Sequence, residues 1–242
     1  MTSGVGGRPR SQTDVVVHGV REMILSGELG PGDRLPIEKD LAPRFAVSRG
    51  SLREGVRALA QLGILESRQG SGTFVTELRP HTLLAPVGFV ADLQPGASPH
   101  DLQAVRRILE TAAIRTAALL ITSEQLDAAA AAVDQGADAL EGTTVDWDAA
   151  MRADMAFHGV LAEASGNAIL ASLIEALASH TVRGRLWRAL VDNAAATAAM
   201  EEHRAILAAL RARDPEASAV RMAGHLLSVE TFLEQHAPPS PS

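Results

Sequence analysis

Asp154, His158, His203 and His225 have the types and spacing of a divalent-metal ligand set. Asp154 and His158 stand four apart, which on a helix puts a carboxylate and an imidazole on one face. His203 and His225 are 22 positions apart, which suits two antiparallel helices facing each other across a short loop. Converged by an antiparallel bundle, one carboxylate and three imidazoles form an N/O set suited to zinc and acceptable to nickel, manganese or iron. Histidines on helix faces also serve as exposed or hydrogen-bonded core residues, and spacing alone leaves those readings open.

A second constellation is cationic. Arg49, Arg53 and Arg57 recur at i, i+4 in Ser48 to Leu62, so a helix there lines three guanidinium groups along one face. Leu52, Val56 and Leu59 form the apolar stripe of the same helix. Ser48 is placed to be its N-cap and Ser51 lies in its first turn, leaving backbone N–H groups for a phosphate. Taken alone, this is equally a solvated basic face.

The flanking elements favour nucleic acid. Upstream, Val17, Val20, Ile24 and Leu25 give helical spacing over Asp14 to Leu29, Gly30-Pro31-Gly32-Asp33 reads as a turn, and Glu38 to Phe45 reads as a short helix. Two helices and a tight turn leading into a basic helix are the DNA-reading arrangement. Downstream, Ile64 to Arg68 and Thr73 to Thr76 read as short strands around Gln69-Gly70-Ser71-Gly72, a hairpin placed as a wing.

Composition sets the frame. The 242 residues are 46% hydrophobic, enough for one large or two modest cores. With no cysteine there is no disulfide framework, which fits a reducing cytoplasm. Residues 1–12 are Gly-, Arg- and Ser-rich without an apolar core, so a disordered tail is expected rather than a signal peptide. No apolar run has the length of a membrane span, and no membrane partner is expected. The net charge of −7 divides unevenly: the first 79 residues carry +2 and the remainder −9. A locally basic head on an acidic body is compatible with salt-sensitive DNA binding.

Pro80, Pro86, Pro95 and Pro99 mark residues 79–100 as a linker, with room for a short helix over 82–90. Six alanine-rich helices are then expected over 101–120, 123–141, 146–164, 168–190, 195–213 and 215–236, and a frayed tail over 237–242. The fold expected is therefore mainly α: a winged helix-turn-helix over 13–78 with a small β-hairpin, then an all-α antiparallel bundle over 101–236.

Residues 25–76 resemble the winged helix-turn-helix of the GntR family of bacterial transcription regulators. The matching signposts are Pro31-Gly32-Asp33, Leu35-Pro36, Glu38, Leu41-Ala42, Val47-Ser48-Arg49, Arg53-Glu54, Leu62-Gly63 and Gly70-Ser71-Gly72-Thr73-Phe74-Val75. The resemblance to FadR-like members implies DNA contacts by Lys39, Ser48, Arg49, Ser51, Arg53, Gln69, Gly70 and Ser71. Three positions depart from the family pattern. Gly50 replaces a small polar residue, Gly55 replaces alanine at a propensity cost of about 1 kcal/mol, and Ile37 replaces a serine that would cap the second helix.

Residues 101–236 are similar to the FadR C-terminal ligand-binding domain, FCD. Val105-Arg106-Arg107-Ile108-Leu109-Glu110, Asp154-Met155-Ala156-Phe157-His158, Ser165-Gly166-Asn167, Glu202-His203-Arg204-Ala205-Ile206 and His225-Leu226 carry the likeness. It implies that Asp154, His158, His203 and His225 hold a divalent metal, most often zinc. It also implies a small organic acid effector near the ion, met by Arg106 and Asn167, with His180 and Arg185 as lesser candidates. Glu110 and Glu202 are expected to support rather than to react. Arg106 could equally be a helix-surface residue paired with Glu110. The function implied is a homodimeric, metabolite-responsive repressor on a palindromic double-stranded DNA operator. Two other readings remain at this point: a metal-dependent enzyme acting on small carboxylates, and an architectural DNA-binding protein with a structural metal.

Overall fold

The structure is a computed structural model that describes residues 11–78, 98–141 and 144–236. Of the tail expected over 1–12 and the linker expected over 79–100, residues 1–10 and 79–97 lie outside the described residues, as do the tail over 237–242 and the side chain of His180. The described ends of both segments are ordered: Ser11 caps the first helix, which begins at Gln12, and Ser98 caps a helix that begins at Pro99, because each serine side chain takes up a first-turn N–H. The chain divides into two compact units, residues 1–83 and 84–242.

The first unit has the order α1 (Gln12–Leu25), α2 (Glu38–Arg44), α3 (Arg49–Gln61), β1 (Leu65–Arg68) and β2 (Gly72–Val75). Helix α1 starts earlier than its apolar pattern implies, because Ser11 and Asp14 form a capping box that satisfies the first-turn N–H groups. It ends at Leu25, where Gly27 takes a left-handed φ of 78°. Its buried face is Val16, Val20 and Met23, whereas Leu25 is exposed. The expected stripe is thus partly out of phase. In α3 the buried residues are Leu52, Gly55 and Leu59. Gly55 faces α1: a Cβ there would lie 2.5 Å from Cβ of Val16, so the glycine permits the close crossing of the two helices.

Ile37 caps α2 with no side-chain hydrogen bond, as the missing serine implies. The turn from α2 to α3 passes through Ala46 at φ 53°, where the Val47 N–H donates to the Ala42 carbonyl at 3.0 Å. β1 and β2 pair antiparallel with Leu65 opposite Val75 and Arg68 opposite Gly72. Arg34 makes an isolated bridge to Phe74, so the chain ahead of α2 lies along the hairpin's second strand.

The second unit contains α4 (Pro99–Leu120), α5 (Ser123–Leu140), α6 (Trp147–Ala164), α7 (Ala168–Val191), α8 (Asn193–Arg211) and α9 (Pro215–Gln235). Each helix begins on a side-chain cap: Ser98, Thr122, Asp146, Asn167, Asp192 and Asp214. Each cap is worth about 1 kcal/mol and explains why the chain breaks at those residues. Asp192 closes α7 and opens α8, which makes that joint tighter than the expected break. The main core runs through Ile114, Val133, Phe157, Ile206, Leu210 and Met222, from five of the helices. Alanines and Gly136 let the helices approach closely; a Cβ on Gly136 would come within 2.9 Å of the Met200 sulfur. Trp187 on α7 packs against Val229, Phe232 and Leu233 of α9. No helix among the described residues is long and apolar enough to cross a membrane.

Candidate functional site

The bundle brings Asp154 and His158 on α6 together with His203 on α8 and His225 on α9. One donor atom from each lies within 4.8 Å of all the others, and all four residues are buried. The Nε2 atoms of His203 and His225 face each other at 3.2 Å. Oδ1 of Asp154 lies 3.7 Å from Nε2 of His203 and 3.9 Å from Nε2 of His158. Phe157 stacks on His203 with ring centroids 4.2 Å apart, fixing one imidazole from the core side.

Outer carboxylates set the inward-facing nitrogens. Nδ1 of His158 lies 2.5 Å from Oε2 of Glu110, and Nδ1 of His225 lies 2.7 Å from Oε2 of Glu202. A carboxylate on Nδ1 favours the Nδ1–H tautomer and leaves Nε2 as a lone-pair donor. Nε2 of His158 is buried without any hydrogen-bond partner. A buried acceptor left open costs about 1–3 kcal/mol, and a cation at the point where the four donors converge would satisfy it. The donor set therefore fits a divalent metal, and Asp154, His158, His203 and His225 would hold it.

The local charges agree. Burial drives His158 and His203 toward the neutral form, and burial takes His225 down to about 4 against the opposing bond from Glu202. Neutral imidazole is the ligating form. Burial pushes Glu110 up, but the Arg106 guanidinium and His158 outweigh it and hold the carboxyl at about 2. Glu110 is thus the buried anion linking Arg106 to His158.

Arg106 is fully buried on α4, bonded to Glu110 and, through Nη1, to the Thr181 hydroxyl at 3.3 Å. The pairing with Glu110 foreseen in the sequence is present, but it is a core pair and not a surface one. Nη2 of Arg106 has no partner. Arg185 on α7 has the more direct position. Its Nη1 donates to Oδ2 of Asp154, Nη2 donates to the Ala178 carbonyl at 2.9 Å, and Nε is unpartnered. Arg185 takes one carboxylate oxygen of Asp154 while the other faces the histidines.

A cavity of about 40 Å³ adjoins the cluster, lined by Asp154, Arg185, Arg188 and His225 on its polar side and by alanines, Met151 and Met200 elsewhere. Arg188 escaped the sequence reading because an arginine near a helix end carries no local mark of pointing inward. Arg106 does not line this cavity. Asn167 departs further from expectation: it is exposed, and its Oδ1 accepts from the Leu170 N–H at 3.1 Å as the cap of α7. The Ser-Gly-Asn signature marks a helix start there.

In the first unit, Lys39, Ser48, Arg49, Arg53, Gln69, Gly70 and Ser71 are exposed and Ser51 is half-buried. Ser48 caps α3 by accepting from the Ser51 N–H at 3.0 Å. Arg53 is not free: its Nε donates to Oε1 of Glu38 at 2.8 Å, which leaves the two terminal nitrogens. Gly70, at φ 74°, shapes the hairpin tip.

Comparison with known proteins follows the same division. The profile for bacterial regulatory proteins of the gntR family matches residues 12–75, and that for the FCD domain matches residues 101–228. The chain is 32% identical over 216 residues to the HTH-type transcriptional regulator LutR of Bacillus subtilis, covering 87% of this chain and 96% of that protein. It is 30% identical over 223 residues to the HTH-type transcriptional repressor NanR of Escherichia coli K12, covering 90% and 82%. Among solved structures, a Streptococcus agalactiae GntR protein superposes with a TM-score of 0.74 at 30% identity, covering 90% of this chain and 99% of that one. LutR is described as a transcriptional regulator and NanR as a transcriptional repressor.

Proposed function

The chain belongs to the GntR family of bacterial transcription regulators, with an FCD ligand-binding domain, and from that premise we propose a metabolite-responsive repressor. It works in the cytoplasm as a homodimer on a palindromic operator. A small organic acid binds beside a divalent metal, most often zinc, held by Asp154, His158, His203 and His225. The observation that carries this reading is the convergence of those four buried donors on one point next to a cavity edged by Arg185 and Arg188.

The ion would supply a fixed positive charge on which an acid's oxygen can rest. Arg185 orients Asp154 and offers its free Nε toward the same region, and Arg188 adds charge at the cavity wall. Alanines around the rest leave room for a compact anion only. In the DNA-binding unit, Lys39, Arg49, Ser51, Arg53 and the tip residues Gln69, Gly70 and Ser71 form the surface that meets the operator, with Ser48 capping the reading helix. Arg53 donates to a guanine edge while Glu38 steadies it, a pairing worth about 1–3 kcal/mol of discrimination. Support for a homodimer comes from Val105, Ile108 and Leu119 of α4 and Val220 and Leu227 of α9, large apolar residues left exposed. Effector binding shifts the operator affinity through its differential affinity for two arrangements of the dimer.

The test is a thermal-shift screen of metal-replete protein against small organic acids, repeated on His203→Ala and Arg185→Gln. A ligand selective for the folded state stabilises it by about 2.7 kcal/mol at a hundredfold excess over its Kd. The expected result is a shift in the wild type that both variants lose. Full metal content in His203→Ala together with an undiminished shift would sink the assignment.

A further inference from the structure

Between α3 and the β-hairpin lies a groove of about 540 Å³. Its charged lining consists of Arg34, Glu38, Arg53 and Arg57, over an apolar floor that includes Leu52 and Val56. Glu38 is committed to Arg53 through the 2.8 Å bond, and nearby Glu66 is committed to Arg68 at 2.5 Å. Arg34 and Arg57 are exposed and have no carboxylate partner among the described residues. The groove therefore holds two surplus guanidinium groups facing solvent.

Their placement is built into the fold. Arg34 is fixed along the hairpin: the Leu35 N–H donates to the Thr73 carbonyl at 2.8 Å, and the Val75 N–H donates to the Asp33 carbonyl at 2.9 Å. Its guanidinium lies over Gly72, where a Cβ would approach Nε to 2.7 Å, so the glycine gives it a seat at the wing's edge. Arg57 stands one turn beyond Arg53 on the opposite wall, too far along α3 to belong to the helix's first turns.

We propose that this groove seats one sugar-phosphate strand of the operator, with Arg34 and Arg57 each neutralising a backbone phosphate. The inference rests on the DNA-binding reading above and adds a second surface to it. A helix enters a major groove about 12 Å wide while a hairpin tip enters the neighbouring minor groove, and the two grooves of a duplex are separated by a backbone strand. Beyond Arg53, which reads a base edge, the concave surface between helix and wing thus meets phosphates. Two unpaired guanidinium groups suit that polyanion, whose phosphates position a protein without conveying sequence.

The experiment uses the full chain and two probes: a duplex enriched from a random pool by the wild-type protein, and a scrambled duplex of equal length. Binding is measured by fluorescence anisotropy over a salt series for Arg34→Gln, Arg57→Gln, the corresponding lysine variants and Arg53→Gln. Arg34→Gln and Arg57→Gln should weaken both duplexes by the same factor and leave their affinity ratio unchanged. Each should also flatten the slope of log K against log salt by about 0.9, the counterion share of a single phosphate. The lysine variants should recover the slope, and Arg53→Gln should change the ratio instead. Wild-type salt slopes in both glutamine variants would overturn the proposal, as would a change confined to the enriched duplex. Failure of the wild-type chain to enrich any duplex would instead remove the DNA-binding reading, and the groove with it.

Discussion

Gly55 shows what single residues concealed and revealed. From the sequence it is a helix-weakening departure where alanine is usual, with a cost of about 1 kcal/mol. In the structure its missing side chain is the space that Val16 occupies. Restoring alanine regains the propensity but drives a methyl group into Val16, and overpacking costs about 1–3 kcal/mol. Gly55→Ala should therefore lower stability by about 1–2 kcal/mol in urea unfolding, and adding Val16→Ala should recover most of the loss. A stabilised single variant would show that α1 moves aside freely. The four converging residues were legible because Asp-x-x-x-His and the two later histidines have few uses in common. Arg185 and Arg188 were harder to place, since inward direction on α7 depends on how that helix rotates against its neighbours. Asn167, expected beside the effector, is exposed and its side chain is engaged in local hydrogen bonding as a helix cap.

At the scale of elements, the helix boundaries of the second unit followed from capping chemistry visible in the sequence. Asp146, Asp192 and Asp214 each stand at a break and each accepts a first-turn N–H. The phase of α1 was less legible, because valines at three successive positions, 15–17, let the apolar stripe be drawn on either side. The turn between α2 and α3 held a further surprise: Ala46 adopts a left-handed conformation that no residue type announces. For an L-residue with a Cβ this costs about 1–2 kcal/mol, a penalty that glycine escapes. Ala46→Gly should raise the stability of the DNA-binding unit by about 1 kcal/mol, less the added entropy of the unfolded chain. Thermal unfolding monitored by circular dichroism measures the change, and a lowered midpoint would contradict the account of the turn.

For the molecule as a whole, charge and architecture divide together. The cationic surplus lies in the first 79 residues and the acidic excess in the rest, matching the division into a winged head and a helical body. Each unit has its own apolar core, one through Val16, Leu52 and Leu65 and the other through Phe157, Ile206 and Met222. Two calorimetric transitions are expected, and metal removal by a chelator should lower only the one belonging to the helical unit. Binding to the native state alone is what couples the ion to that unit's stability. A chelator that leaves both transitions in place would separate the histidine cluster from metal binding.

The tryptophans give this division an optical consequence. Both of them, Trp147 and Trp187, belong to the helical unit, and the winged unit has none. Trp187 sits beside Arg188 and two positions from Arg185, with its indole N–H buried and without an acceptor. Its emission reports the packing of α7 against Val229, Phe232 and Leu233 of α9. The protein therefore carries an unlabelled fluorophore on the helix that supplies Arg185 and Arg188, while the winged unit stays dark in the same channel.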